Sequence, residues 1–234
     1  MIKRSISLLF ISILLIQSAA VASALGKYKP PQEGSAPSGN TRATGSRGQC
    51  RNDAETPLTL LAPYTHVGQT ESQHPLLAWY VDRERSLPMQ LSIYERDANK
   101  RPQLFYNIEL ETTPGIMKVK LPKDRPGLET GKRYIWEVAI MCDRNRPATH
   151  IVASAEIDVV NSKTQSDRNS LWYDILKSSL SDAKKGKLTP ESAILLKQLA
   201  ELEKQQGKKG IRQGDRLMNI VSSSERSEMI TNRR

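Results

Sequence analysis

Two cysteines are the side chains best suited to covalent chemistry in this 234-residue chain, Cys50 and Cys142. They lie far apart in sequence, and neither belongs to a spacing typical of metal ligands. In an exported chain such a pair predicts a disulfide. A bridge across so long a loop is worth roughly 4 to 5 kcal/mol in the loop-entropy model. Two unpaired buried thiols are the alternative, and no motif places a base beside either sulfur, so we predict no catalytic thiol.

The three histidines, His66, His74 and His150, are not spaced as metal ligands. They form no His-x-x-x-His or His-Glu-x-x-His pair on which a zinc site could be built. The chain also has no Gly-x-Ser-x-Gly elbow, phosphate-binding loop or dinucleotide fingerprint. We therefore predict no catalytic, cofactor-binding or metal-binding residue, and no cofactor.

Carboxylates at the ends of predicted strands are the remaining candidates for acid and base chemistry. Two of them could meet in space as a glycosidase-type pair, because such acids need not be close in sequence. Single acids in turns more often keep a surface soluble, so a carboxylate-dependent hydrolase is the less favoured alternative. The residues concerned are Glu71, Asp82, Glu84, Glu95, Asp97, Glu109 and Glu111.

The N-terminus predicts export. Lys3 and Arg4 precede an almost wholly apolar run, Ser5 to Ile16, and Ala22-Ser23-Ala24 provides small residues at the positions that a signal peptidase recognises. The run is shorter than the roughly 20 residues that cross a membrane. We predict a signal peptide over 1–24, cleavage between Ala24 and Leu25, and a periplasmic or extracellular mature chain without a membrane span. A retained anchor is the alternative.

Positive charge dominates the composition. The chain has 35 Lys and Arg against 25 Asp and Glu, a formal charge of +10. Residues 25–49 are rich in Pro, Gly and Ser, contain little to bury, and predict a disordered basic linker. Residues 207–234 contain Lys209, Arg212 and Arg216 together with Gly207, Gly210 and Gly214, and predict a basic mobile tail. Such charge attracts polyanions, but we see no recognition helix or stacking platform for specific nucleic-acid binding.

Short apolar runs separated by Pro, Gly and Asn fill residues 50–160. Their period-two alternation predicts strands, and the absence of helix-length segments between them predicts an antiparallel β-sandwich. The predicted strands are Leu58 to Ala62, Leu76 to Val81, Met89 to Glu95, Leu104 to Leu110, Ile116 to Leu121, Tyr134 to Cys142 and Ile151 to Val159.

The sixth predicted strand organises this region. Tyr134, Trp136 and every second residue after them would share one buried face, and Trp79 of the second strand would join that core. Leu128, Gly131 and Tyr134 have the spacing Leu-x-x-Gly-x-x-Tyr. It resembles the structural corner of immunoglobulin-like and fibronectin-like sandwiches, in which the tyrosine hydroxyl bonds the backbone. We therefore expect a mainly β, immunoglobulin- or fibronectin-like sandwich.

A helical hairpin is predicted over 168–206. Apolar residues from Leu171 to Leu180 recur at helical spacing. Thr189, Pro190 and Glu191 combine an N-cap, a first-turn proline and a first-turn acid, which predicts the start of a second helix. The two helices would bury their faces on each other or on the sandwich. A groove for a partner helix is the alternative.

Several short motifs occur in the order seen in one known family. They begin with Arg-Gly-x-Cys ending at Cys50, a Pro-Leu-Leu-Ala-Trp-Tyr-Val strand at Pro75 to Val81, and Pro-Gly-Ile at Pro114 to Ile116. The series continues with Leu-x-x-Gly-Lys-x-Tyr-x-Trp at Leu128 to Trp136 and Leu-Trp-Tyr-Asp at Leu171 to Asp174. Over about residues 47 to 200 the chain resembles the cyanobacterial exported family catalogued as domain of unknown function 928. The resemblance implies an exported envelope protein with a disulfide and no assigned activity.

These features together predict an exported, non-enzymatic interaction module of the cell envelope. Its partner would be a protein or an anionic glycan or lipid of the envelope. A soluble subunit of a secretion or surface-assembly system is the alternative, for which an exposed apolar patch on the helices would be the discriminating feature. The sequence leaves the oligomeric state open.

Overall fold

Eight strands form two sheets, and three helices follow them in the chain. The computed structural model describes residues 27–31, 37, 58–82, 86–96, 102–143, 145, 149–161 and 167–231. The strands are β1 (Leu58–Leu60), β2 (Gly68–Thr70), β3 (Leu76–Val81), β4 (Pro88–Arg96), β5 (Pro102–Glu111), β6 (Gly115–Lys120), β7 (Arg133–Ile140) and β8 (Ile151–Val159). The helices are α1 (Trp172–Ser179), α2 (Pro190–Lys204) and α3 (Gly207–Thr231).

The larger sheet has the strand order β2-β8-β7-β4-β5, with β7 at its centre. Tyr134, Trp136, Val138 and Ile140 of β7 are all buried, and the residues between them are half-buried, as the alternation predicted. Both neighbours of β7 are antiparallel to it and add their own apolar residues to the same face. The chain is therefore mainly β, with its core beneath the central strand.

The smaller sheet has the order β1-β3-β6 and is antiparallel. Trp79 of β3 is fully buried in the core that the two sheets share. One strand was not predicted: β2, which runs parallel to β8. It has three residues and includes Gly68, so it is too short to show a period. The finer assignment to an immunoglobulin- or fibronectin-like fold stays a prediction.

The turn into β7 contains Leu128, Gly131 and Tyr134. The Tyr134 hydroxyl accepts a hydrogen bond from the backbone N–H of Glu129 at 3.0 Å. Leu128 is fully buried beneath the turn. Gly131 has φ of +84°, a conformation that side chains with a Cβ rarely adopt. The three residues thus fix the direction in which β7 enters the sheet.

The helices differ from the predicted hairpin. Thr189 caps α2 through a hydrogen bond from the Ser192 N–H, and Pro190 is its first residue. However, α2 packs mainly along α3, a helix that was not predicted, while α1 contacts β2, β3 and α2, as the prediction allowed. Trp172 of α1 anchors that helix by donating its indole N–H to the Leu61 carbonyl at 3.0 Å. The C-terminal region is therefore three helices, not two.

The prediction of a mobile tail from residue 207 was wrong, because this segment forms α3. Leu217, Ile220 and Val221 are buried against α2 and the core. Gly210 and Gly214, which we had interpreted as signs of flexibility, lie against the α2 carbonyls of Glu203 and Ala200, where a Cβ would collide. The glycines therefore permit close helix packing.

The predicted disordered linker also needs correction in part. Tyr28 is only 1% exposed, its N–H donates to the Gln198 side chain at 3.0 Å, and the N–H of Lys29 donates to the Asn169 carbonyl at 3.0 Å. Burial of a large aromatic side chain such as Tyr28 offsets the conformational entropy that a short segment loses when it becomes ordered. Most of the linker lies outside the described residues.

The predicted signal peptide, its cleavage site at Ala24 and Leu25, and Cys50 also lie outside the described residues. The bridge from Cys50 to Cys142 therefore stays a prediction. Within the described part of the chain, no helix is long and apolar enough to cross a membrane.

One backbone contact joins the smaller sheet to the loop between α1 and α2. The Ile116 N–H donates to the Gly186 carbonyl at 3.0 Å. Gly115 has φ of +88° and lies so close that a Cβ there would collide with the same carbonyl. Nearby, the Lys118 ammonium donates to the Leu180 carbonyl at the end of α1, at 2.6 Å. The loop after α1 thus contacts the smaller sheet through a backbone hydrogen bond and through the Lys118 side chain.

Candidate functional site

Helix α3 presents four polar side chains to one cleft. Lys209, Arg212, Gln213 and Arg216 occur at positions i, i+3, i+4 and i+7, which share one face of a helix. Together with Tyr64, from the loop between β1 and β2, they line a small cleft of about 20 Å³ that is open to solvent. We call this the basic cleft.

The four helical side chains differ in exposure. Lys209 and Arg212 are exposed, whereas Arg216 is half-buried and already has an interaction partner in the protein. Gln213 is 3% exposed, and its Nε2 has no hydrogen-bond partner within the described part of the chain. The cleft therefore combines two exposed cations, carried on an ordered helix, with a buried amide donor.

A buried carboxylate holds the loop that forms the opposite wall. Glu203, near the end of α2, is fully buried, and its Oε1 accepts the N–H of Tyr64 at 2.7 Å and that of Thr65 at 3.2 Å. Burial raises the pKa of Glu203, and the two backbone amides oppose this shift. Its Oε2 has no hydrogen-bond partner among the residues described. Glu203 thus positions Tyr64 against α3.

The same loop carries His66, which belongs to a buried aromatic cluster. Its Nε2 lies 2.7 Å from the Tyr28 hydroxyl, and Tyr28 makes an edge contact with Trp172 at a centroid distance of 5.0 Å. Burial lowers the pKa of His66 to about 4, so the imidazole is uncharged at neutral pH. Burial also raises the pKa of Tyr28. The cluster fastens the N-terminal segment to the loop.

The chemistry available in the basic cleft is anion binding. Lysine and arginine donate charged hydrogen bonds to carboxylate and phosphate oxygens, and arginine does so with two parallel bonds. The space in the cleft, about 20 Å³, is enough for roughly one water-sized group and far smaller than the roughly 300 to 1,000 Å³ of pockets that enclose a small molecule. Its size therefore suits one charged group of a larger ligand.

A second charge cluster, on β7 and β8, is explained by the fold. Arg133 makes two hydrogen bonds to Asp158, at 2.6 and 2.7 Å, and lies 3.5 Å from the carboxylate of the buried Glu156. The bidentate hydrogen bond to Asp158, opposed by burial, raises the pKa of Arg133. The two strands pair Arg133 directly with Asp158, so this cluster fixes strand register.

The carboxylates considered for acid and base chemistry are dispersed. Glu95 forms an ion pair with Lys132 at 2.7 Å, and Glu71 and Asp82 lie at opposite ends of the segment that contains β3. Glu109 and Glu111 line a separate open cleft of about 530 Å³ along β5. Two of the acids, Glu84 and Asp97, lie outside the described residues.

The histidines are also distributed over separate surroundings. His66 is in the aromatic cluster, and Nε2 of His150 lies 3.3 Å from the Asp143 carbonyl. In the part of the chain that the structure describes, His, Cys, Asp and Glu do not form a group of three or more that could hold a metal.

Sequence reasoning noticed Lys209, Arg212 and Arg216 but assigned them to a mobile tail. The signal that could have placed them was the helical spacing of these cations together with the apolar spacing of Leu217 and Ile220. Glu203 and Gln213 carried no such signal, because burial of a polar side chain depends on tertiary contacts.

Comparisons with known proteins identify a family but do not identify an activity. One solved structure with detectable similarity is that of a lytic polysaccharide monooxygenase important for efficient utilization of chitin in Cellvibrio japonicus. It has 12% sequence identity and a TM-score of 0.29, over 40% of this chain and 54% of that chain. The chain thus spans about half the length of that protein, and so low a score carries no argument about fold or activity. No curated protein matches the chain.

The family comparison confirms the resemblance found in the sequence. A family model matches residues 42–213, which is most of the chain and includes the strands, α1, α2 and the first two turns of α3. The chain belongs to the family described as Domain of Unknown Function (DUF928).

Proposed function

We propose that the protein is an exported, non-enzymatic interaction module that binds carboxylate or phosphate groups of the cell envelope. The observation that carries the proposal is the basic cleft, in which α3 holds Lys209 and Arg212 at fixed positions beside Gln213. Export rests on the N-terminal sequence from Lys3 to Ala24, and the immunoglobulin- or fibronectin-like sandwich would serve as the rigid support.

Fixed cations favour recognition over simple electrostatic attraction. A disordered basic tail attracts any anion, and salt screens that attraction strongly. In α3, by contrast, the backbone of each cation is ordered before binding, so less entropy is lost on contact. A buried donor such as Gln213 Nε2 also gains a partner when an oxygen atom enters the cleft. These features support a site for one anionic group.

The decisive experiment reverses the charge at the mouth of the cleft. The double variant Lys209→Glu/Arg212→Glu changes two exposed residues and leaves the buried face of α3 intact. The matched control is Lys184→Glu/Lys185→Glu, which makes the same charge change at exposed residues of the loop between α1 and α2. Removal of α3 would be a poorer test, because Leu217 and Val221 belong to the core.

Binding would be measured by sedimentation with two probes, vesicles containing an anionic phospholipid and an insoluble envelope polysaccharide bearing carboxylates. We expect the cleft variant to bind one of them about tenfold or more weakly, since each basic side chain near an anionic surface contributes about 1 kcal/mol. The probe that responds identifies lipid or glycan as the source of the anion. Equal losses in the cleft variant and its control would contradict the proposal.

A subunit of a secretion or surface-assembly system remains the second proposal. It would gain support from a contiguous apolar patch on the helices. Among the helical residues whose side chains the structure describes, which end at Arg226, the exposed large hydrophobic residues are Ile194 and Ile211, at 38% and 43%. Because α2 and α3 run antiparallel, with Lys197 paired to Glu225 and Lys204 to Asp215, these two residues lie far apart. The basic cleft is therefore the better supported site.

A further inference from the structure

Strand β5 forms an edge of the larger sheet. It pairs with β4 on one side only, and within the described residues no strand pairs with its other side. An edge of this kind presents unpaired backbone N–H and C=O groups to any other strand. Leu104, near its start, is 58% exposed, the largest exposure among the large hydrophobic residues described. The edge is therefore available for contact.

Side chains of opposite charge lie near the two ends of β5. Arg125, from the segment that follows β6, lines a cleft of about 260 Å³ beside residues 104–107 of the strand. Glu109 and Glu111 line the cleft of about 530 Å³ at the other end. Arg125 and Glu109 are exposed, and neither forms an ion pair with another described residue.

The regular part of β5, from Tyr106 to Glu111, has one apolar face and one polar face. Tyr106, Ile108 and Leu110 lie opposite Ile93, Leu91 and Met89 of β4, which are all buried. Asn107 and Glu109 point to the other side of the sheet, because side chains alternate along a strand. A bulge at Phe105 ends this regular pattern.

We propose that β5 joins a second copy of the chain, antiparallel about Ile108, so that two five-stranded sheets become one continuous sheet. In this register Tyr106 lies opposite Leu110 of the second copy, and both belong to the apolar face. Asn107 lies opposite Glu109 of the second copy, where its amide can donate to the carboxylate. Cross-strand pairs of these types stabilise antiparallel sheets.

The same register brings the charged ends together. Each copy places Arg125 beside the strand end of the other that carries Glu109 and Glu111, so the interaction occurs twice around the two-fold axis. A two-fold interface requires such self-complementarity. Two copies would also carry two basic clefts, which would strengthen binding to a surface with many anionic groups.

The test is analytical ultracentrifugation of the protein, purified after the cell has processed its N-terminus. The measurement would cover a wide range of protein concentration at low salt. We expect a reversible dimer. Arg125→Glu alone, and Glu109→Arg/Glu111→Arg alone, should each weaken the dimer about tenfold or more, because each places like charges opposite each other. The variant that combines all three changes should restore it. Lys177→Glu, an exposed residue of α1, is the control for net charge.

Two further variants separate the interface from other effects. Ile108→Lys places like charges opposite each other at the two-fold axis and should give a monomer; because Ile108 also packs on the core, a loss of native circular dichroism in this variant leaves the test to the charge reversals at exposed residues. Lys209→Glu/Arg212→Glu should leave the dimer intact, which distinguishes this proposal from the proposed anion site. A monomer at every concentration, or a dimer that neither charge reversal weakens, would overturn the proposal.

Discussion

The Tyr28 hydroxyl and Nε2 of His66 lie 2.7 Å apart, and both side chains are buried. This contact fastens the segment at residues 27–31 to the loop between β1 and β2. The same loop is held on its other side by the carboxylate of Glu203, which accepts two of its backbone N–H groups. One wall of the basic cleft therefore depends on both contacts.

Tyr28→Phe should destabilise the protein by roughly 1 to 3 kcal/mol, because His66 would keep a buried ring nitrogen without its partner. The free energy of unfolding would be measured by urea titration. Tyr94→Phe, at a half-buried tyrosine of β4, is the control and should change stability by less than about 0.5 kcal/mol. Equal effects of the two substitutions would show that the contact contributes nothing.

Stability should fall as the pH drops from about 6.5 to about 4. Burial holds the pKa of folded His66 near 4, below its ordinary value of 6.5, so the unfolded chain binds more protons in this window. The expected loss from His66 is roughly 3 kcal/mol at most. Glu203 acts in the opposite direction, because its raised pKa lets the folded state take up a proton first as the pH falls.

The comparison between the protein and His66→Gln isolates the histidine from Glu203 and all other titrating groups. Urea unfolding of both at pH 7, 6, 5 and 4 should show the native protein losing stability relative to the variant as the pH falls. Parallel curves would mean that His66 titrates with an ordinary pKa.

The predicted bridge between Cys50 and Cys142 has a direct chemical test. The denatured protein, without reductant, should show no free thiol. Reduction, or Cys142→Ser, should then lower the free energy of unfolding by up to roughly 5 kcal/mol, because a long loop is released in the unfolded state. Detection of two titratable thiols before reduction would exclude the bridge.

Gly131→Ala should cost about 1 to 2 kcal/mol through the backbone alone. Its φ of +84° disfavours residues with a Cβ, but no atom lies within 4 Å of the position that the Cβ would occupy. Tyr134→Phe should cost a similar amount, because the Glu129 N–H loses its acceptor. Thermal unfolding of both variants tests whether this corner stabilises β7, and an unchanged melting temperature would argue against it.

Leu217→Ala should destabilise the protein by roughly 2 to 5 kcal/mol, because Leu217 is fully buried between α3 and the core. Asn219→Ala, at an exposed position of the same helix, is the control and should have little effect. A negligible effect of Leu217→Ala on urea unfolding would contradict the packing of α3.

Strands and helices whose sequence signals come from neighbouring residues could be predicted. β7 alternates over eight residues, and α2 begins with Thr189 and Pro190, whose cap chemistry involves only neighbouring residues. Elements that depend on distant contacts could not. β2 forms because β8 lies beside it, and Tyr28 is ordered because Trp172 and His66, from distant parts of the chain, form its socket.

Helix α3 shows the same limit most clearly. Its glycines lower intrinsic helix propensity, by about 1 kcal/mol each relative to alanine, and the sequence alone therefore favours a flexible segment. The close approach to α2 at Gly210 and Gly214 reverses that conclusion, but it becomes visible only when both helices are placed. The basic cleft was missed for this reason, although its cations were recognised.

The contact between Gly115 and Gly186 bears on which substitutions this chain can accept. Two backbones meet there without side chains between them, and both glycines have positive φ. Substitution at either position would strain the chain or force the two backbones apart, and a change at one could not be compensated by a smaller residue at the other. Recombination or truncation that separates the strands from the helices would expose the backbone contact between Gly115 and Gly186. The sheets and helices should therefore be expressed and engineered together.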